Sequence, residues 1–210
     1  MPRPIARLAI GAGLVTALVA GLALYGTGSI TGNGAGPCAP SAPALARVAQ
    51  NSRGDVAAMQ PPDSPRPAPD LAFRGPDGAE MRLADLRGKL LLVNLWATWC
   101  APCKAEMPAL DRLQAALGGP DFAVVAINLD TRNTDKPPVW MRENGIAQLA
   151  YYADPGGRVL PAVQRDTGST GLPTTLLIDG AGCTIGVMKG PAEWSGADAR
   201  KLIQAAMGRG

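Results

Sequence analysis

Two cysteines three residues apart, in Trp99-Cys100-Ala101-Pro102-Cys103, are the side chains of this sequence best suited to chemistry. At that spacing on a helix they lie nearly one above the other, close enough for a disulfide to form and break. The chemistry this allows is thiol–disulfide exchange. A Cys100 thiolate attacks a partner's disulfide, and Cys103 then attacks Cys100 and releases the reduced partner. Half of a zinc knuckle is the competing reading, and it needs two further ligands. The chain has no histidine and only two other cysteines, Cys38 and Cys183, both far from the motif. Redox chemistry is therefore the reading adopted, with no metal and no cofactor.

The elements that must position this pair flank it directly. The apolar run Leu90–Trp96 leads in and reads as a strand. Met107, Leu110, Leu113 and Leu117 recur at helical spacing on the way out. Strand, turn and helix put Cys100 at a helix start, where free N–H groups and the positive end of the dipole stabilise a thiolate. Cys100 is then expected to be exposed, and Cys103 to lie deeper on the Met107/Leu110 face. Trp96 and Trp99 are expected to wall the site, with one of them being plain core as the alternative, and Pro108 to kink the helix.

The missing histidine also excludes Ser-His-Asp and Cys-His nucleophiles and His-ligated copper or zinc. A net charge of +3 over 210 residues, without a block of like charge, argues against nucleic acid as a partner. Four cysteines suit an oxidising compartment. Arg3 and Arg7 precede an uncharged apolar stretch from Leu8 to Tyr25, just long enough to span a bilayer with the N-terminus in the cytoplasm. A cleaved secretory signal is the alternative, but no clean Ala-x-Ala site follows. Either reading exports the rest of the chain.

The expected organisation is a transmembrane anchor over residues 1–30, a Gly/Pro-rich tether over 31–66, and a folded domain over 67–210. Within the tether, Leu45, Val48, Val56 and Met59 suggest a short amphipathic helix from Ala44 to Met59, weakened by Gly54. Gly75-Pro-Asp-Gly78 reads as the turn of a hairpin between residues 71–73 and 80–83. Phe122–Leu129 reads as a buried strand, 135–144 as a helix and Leu149–Ala153 as a short strand. Residues 157–164 read as a helical turn, and Thr174–Ile178 with Cys183–Met188 as a second hairpin. A last helix capped by Ser195 ends near Met207. Together these give an α/β fold with a mixed central sheet flanked by helices, an N-terminal hairpin and an inserted helix.

Trp-Cys-Ala-Pro-Cys after Val93-Asn-Leu-Trp-Ala97, with Gly171-Leu-Pro-Thr-Thr175 downstream, resembles the TlpA/ResA/CcmG group of membrane-anchored thioredoxin-like proteins, its TlpA members most of all. The helix expected at 135–145 fits that group better than plain thioredoxin. The resemblance implies a structural disulfide between Cys38 and Cys183, and a cis-proline at Pro173 facing the active cysteines. Trp99, Pro102, Leu172 and Pro173 would then meet the substrate, with the backbone of Leu172 pairing to an extended segment. The buried aspartate that thioredoxin keeps six residues before its first cysteine is replaced here by Asn94, which cannot take a proton. The group's candidate substitute is Glu106, three residues after Cys103. From spacing alone, a solvated helix residue is the competing reading of Glu106.

The group further implies an inner-membrane, single-pass protein with its catalytic domain in the periplasm, supplied with electrons by a membrane thiol transporter. Ala101-Pro102 offers no histidine to stabilise the reduced pair as in the oxidising DsbA type, so reduction of other proteins is expected. The substrates implied are apo-cytochrome c cysteines, or copper-site cysteines of an oxidase subunit and its copper chaperone. Alternatives from other classes are a redox-silent adaptor, a peroxidase and a copper-delivery chaperone. The peroxidase lacks its Pro-x₃-Thr-x₂-Cys arrangement. The chaperone would want Cys-x₃-Cys and a distal histidine.

Overall fold

Leu90–Trp96 forms β4, a strand whose seven side chains are all buried. The computed structural model describes residues 36–209. Its strands are β1 (Arg66–Pro67), β2 (Ala72–Arg74), β3 (Glu80–Arg82), β4, β5 (Phe122–Asn128), β6 (Tyr152–Ala153), β7 (Thr174–Ile178) and β8 (Cys183–Lys189). They form one eight-stranded sheet ordered β1-β8-β7-β4-β5-β6-β2-β3, with β4 in its middle. The α-helices are α1 (Ala42–Asn51), α2 (Ala101–Leu117), α3 (Lys136–Glu143), α4 (Val159–Thr167) and α5 (Ala197–Ala206). β4 pairs in parallel with β5 and antiparallel with β7, so the sheet is mixed. This is a thioredoxin-like α/β fold.

Alternation along the strands divides the core in two, because successive side chains point to opposite faces. Leu92 and Trp96 of β4, with Phe122 and Val124 of β5, meet α2, α5 and Val48 of α1 on one face. Leu91, Val93 and Leu95, with Val125 and Ile127, meet Val159 and Val163 of α4 and the β2–β3 hairpin on the other. Strands buried on both faces read as continuous apolar runs, which is why β4 and β5 stand out in the sequence.

Several boundaries differ from expectation. The compact unit begins at Gly36 rather than near Pro67. Within the presumed tether, Val48, Val56 and Met59 are buried. Arg47 Nε donates to Ala205 O at 2.6 Å, satisfying a carbonyl at the end of α5. Gln60 bridges to Val187, and Arg66 and Pro67 pair with β8. Prolines here do not mark a loose chain, because apolar anchors and edge pairing hold it. The amphipathic helix is shorter than expected: α1 ends at Asn51, and Gly54, at φ 53°, opens a separate 3₁₀ turn at Gly54–Val56.

The strand expected at 149–153 shrinks to Tyr152–Ala153, since the amide of Leu149 is taken by Asp111 Oδ1 at 3.0 Å. The turn expected at 157–164 is the full helix α4, ended by Gly168 at φ 64°. Gly196, not Ser195, is the N-cap of α5; the Ser195 amide and hydroxyl both donate to Glu193. α2 is one helix with Pro108 inside it. Among the described residues no helix is long and apolar enough to cross a membrane, and the expected anchor, including the stretch from Leu8 to Tyr25, lies outside those residues.

Candidate active site

β4 ends at Trp96, and the chain turns at once into α2. The Cys100 amide donates to Ala97 O at 3.1 Å, closing that turn. Cys100 is the N-cap of α2, and its Sγ accepts the Cys103 amide at 3.3 Å. Cys100 and Cys103 are joined as a disulfide with 5.3 Å between their Cα atoms. On reduction the same amide and the start of the helix are placed to stabilise a Cys100 thiolate.

The structure corrects the expected exposure of Cys100, which is only 6% accessible. As the N-cap it turns its sulfur back over the first helical turn, and the bond to Cys103 holds it there. The rim is made instead by Trp99, 68% exposed, and by the exposed Ala101 and Pro102. Cys103 is fully buried beside Met107 and Leu110.

Of the two tryptophans, Trp99 walls the site and Trp96 is the one that belongs to the core. It is fully buried and packs against Trp140 of α3, ring centroids 5.5 Å apart. The inserted helix thus sits over the strand that delivers the motif. Beside Trp99 runs a groove lined by Arg132, Asn133 and Lys136, and an adjoining one by Val139 and Trp140.

Leu172-Pro173 is a cis peptide. Leu95 of β4 lies opposite Thr174 of β7, so Pro173 stands beside the exit of β4, where the motif begins. Pro173 is buried, whereas Leu172 is half-buried and packs against both cores. Thr174 Oγ1 donates to Gly171 O at 2.7 Å and fixes the approach.

Glu106 is buried, 4% exposed, so it is not a solvated helix residue. Its carboxylate accepts Asn94 Nδ2 at 2.8 Å, Trp194 Nε1 at 2.9 Å and the Ala192 amide at 3.1 Å. Asn94 also donates to Thr175 Oγ1 at 2.9 Å. Burial pushes the Glu106 carboxyl above its ordinary range, while the three donors pull the other way. A step of three along α2 places it on the face of Cys103, and all three neighbours favour the ionised form. The arrangement can hold a carboxylate within one helical turn of the inner thiol.

Two features escaped the sequence. Asp130, just past β5, accepts the Thr98 amide at 2.9 Å and the Thr98 hydroxyl at 2.8 Å, and also Asn128 Nδ2 at 2.8 Å. It clamps the turn that delivers Cys100. The parallel register that sets Trp96 opposite Asn128, carried two residues further, would have paired Thr98 with Asp130. The other is the Ala192–Trp194 segment at Glu106, for which no local signal exists across 88 residues.

Cys38 and Cys183 form a second disulfide with 5.7 Å between Cα atoms, tying the segment before α1 to β8. Among the described residues no three His, Cys, Asp or Glu side chains converge as a metal would require.

A Cys-x-x-Cys disulfide at a helix start, beside a cis-proline at the entry of the neighbouring strand, makes this a thioredoxin-like protein with a vicinal cysteine pair. The AhpC/TSA family model matches residues 65–184, more than half the chain, and the chain belongs to that family. It is 32% identical over 121 residues to the thioredoxin-like protein YneN of Bacillus subtilis, covering 55% of this chain and 65% of that one. It is 36% identical over 120 residues to the thiol:disulfide interchange protein HelX of Rhodobacter capsulatus, covering 55% and 62%. The chain thus spans less than two thirds of the length of these curated relatives. Among solved structures, a putative thiol:disulfide interchange protein DsbE from Chlorobium tepidum superposes with a TM-score of 0.58. The two are 30% identical, covering 69% of this chain and 98% of that one.

Proposed function

We propose that this protein is a thiol:disulfide oxidoreductase that reduces disulfides in other proteins. The observation that carries the reading is the Cys100–Cys103 pair at the start of α2, with Cys100 Sγ held against the Cys103 amide. The Cys100 thiolate attacks one sulfur of the partner's disulfide, forming a mixed disulfide and releasing the partner's other sulfur as a thiolate. Cys103 then loses its proton, attacks Cys100 and expels the second partner thiolate. Two electrons pass to the partner and the pair here becomes the disulfide; the partner's thiolates take up the proton given up by Cys103 and one from solvent, which received the Cys100 proton when that thiol ionised. With Asn94 unable to take a proton, Glu106 is the acceptor for the Cys103 proton. Trp99, Pro102 and Leu172 form the surface that meets the substrate, and the cis peptide at the buried Pro173 sets the Leu172 backbone for it.

The likeness to the TlpA/ResA/CcmG group supports a narrower reading. The domain faces the periplasm on a single N-terminal anchor, takes electrons from a membrane thiol transporter, and serves cytochrome c or oxidase copper-site assembly. Arg3 and Arg7 before the apolar stretch support the orientation. The test is trapping. A Cys103→Ser variant with its N-terminal segment intact cannot resolve its mixed disulfide, and identification of the attached proteins names the substrates. Apo-cytochrome c or copper-site proteins are the expected catch. A consistent catch of other disulfide proteins would contradict the narrower reading, and none at all the broader one.

A further inference from the structure

Glu106 is held from across the core by a segment that belongs to neither the motif nor its helix. The turn from Gly190 to Gly196, between β8 and α5, supplies two of its three donors, the Trp194 indole and the Ala192 amide. The same turn starts at Gly190, whose amide donates to Pro173 O at 2.9 Å. One short segment therefore touches both the proline beside the motif and the buried carboxylate behind it. Trp194 is fully buried within the core that contains Cys100 and Cys103, so its N–H has no access to water. A buried donor and a buried carboxylate lose heavily if either partner is removed.

We propose that Trp194 is a positioning residue of the exchange site, fixing the Glu106 carboxylate through its indole N–H. The proposal rests on the reading of Glu106 as proton acceptor for Cys103. Trp194 acts through Glu106 and touches no substrate. Its effect is to favour the ionised carboxylate, keeping Glu106 ready to accept a proton. The titratable groups on the same face of α2 are the Cys100 and Cys103 thiols. The charged groups of the surrounding elements are Lys104, Asp111 and Arg112 of α2, Lys189 of β8, Glu193 of the turn, and Asp198, Arg200 and Lys201 of α5. None of these is buried, and none shifts Glu106. With Cys100 and Cys103 joined, burial and hydrogen bonds set its proton affinity, which leaves Trp194 a direct handle on it.

The experiment follows the Glu106 carboxyl by carbon NMR against pH in the full chain with Cys100 and Cys103 reduced and Cys38–Cys183 intact, as wild type and as Trp194→Phe, which removes the donor and keeps a ring. Loss of one charge-assisted hydrogen bond should raise the Glu106 midpoint by about one to two pH units. The pH profile of single-turnover disulfide reduction should move with it. A midpoint that stays within about 0.3 units overturns the proposal. Should the variant not fold, the indole N–H resonance of Trp194 in the wild type is the readout. It should titrate with the Glu106 midpoint and lose that titration in Glu106→Gln, and a pH-invariant indole resonance would overturn the proposal. If the carboxyl midpoint moves and the rate profile does not, the Trp194 contact stands and the proton role of Glu106 is what fails.

Discussion

At the scale of single residues, Glu106 makes the sharpest claim. Burial raises its proton affinity above the ordinary carboxylate value of 4.5, so the folded protein keeps that proton to higher pH than the unfolded chain. Its contribution to stability is therefore greatest below the unfolded midpoint and is lost as pH rises through the raised folded one. Glu106→Gln removes this dependence while its amide can still meet Asn94, whose own amide turns to accept, and the Trp194 and Ala192 donors. Urea unfolding of the oxidised protein between about pH 4 and 8 should show stability falling with pH in the wild type relative to the variant. A difference that is flat or of opposite sign would show that burial does not govern this group. Spacing on the helix indicated that Glu106 shares the face of Cys103. It could not show that the side chain is buried, because the residues that bury it, Ala192 and Trp194, come from the far end of the chain.

At the scale of elements, the turn from Ala97 to Cys100 depends on Asp130. Asp130→Ala strands the Thr98 amide, the Thr98 hydroxyl and the Asn128 amide without their acceptor, at a cost of about 2–4 kcal/mol. Disulfide reduction should slow by about tenfold or more as the nucleophile is misplaced. Asp130→Asn should keep most of the rate, since its carbonyl can serve the two N–H donors while the Thr98 hydroxyl turns round to accept. Equal losses in both variants, measured by single-turnover reduction, would mean that the charge matters and the clamp does not. α1 makes a second prediction. Val48 is fully buried against the sheet and α5. Val48→Ala should cost about 2 kcal/mol in urea unfolding, and no loss would return this segment to the status of a tether. β4, β5 and α2 were legible because strong periodicity and Gly or Pro punctuation coincide there. The 36–66 segment was legible only as a short amphipathic helix in a tether, since its three apolar anchors find their partners in the distant C-terminal helix and strand.

At the scale of the whole molecule, two disulfides divide the work between shape and chemistry. Cys38 and Cys183 are 145 residues apart, so their bond could contribute up to about 5 kcal/mol by constraining the unfolded chain. The double variant Cys38→Ser/Cys183→Ser should unfold at lower urea yet retain disulfide-reducing activity in its folded state, and loss of activity at full stability would contradict that division. The thioredoxin-like architecture could be read from strand–turn–helix order and the motif. The contacts that complete the site, Thr98 with Asp130 and Glu106 with Trp194, depend on three-dimensional register and closure. The central claim is that Cys100 attacks and Cys103 resolves. Its most direct measurement mixes the selectively reduced protein, Cys38–Cys183 intact, with a disulfide peptide, quenches with acid and weighs the products. The wild type should yield reduced peptide and a closed Cys100–Cys103 disulfide. Cys103→Ser should accumulate one mixed disulfide through Cys100, and Cys100→Ser should yield none at comparable times. A mixed disulfide formed through Cys103 in the presence of Cys100, or no peptide reduction by the wild type, would contradict the account.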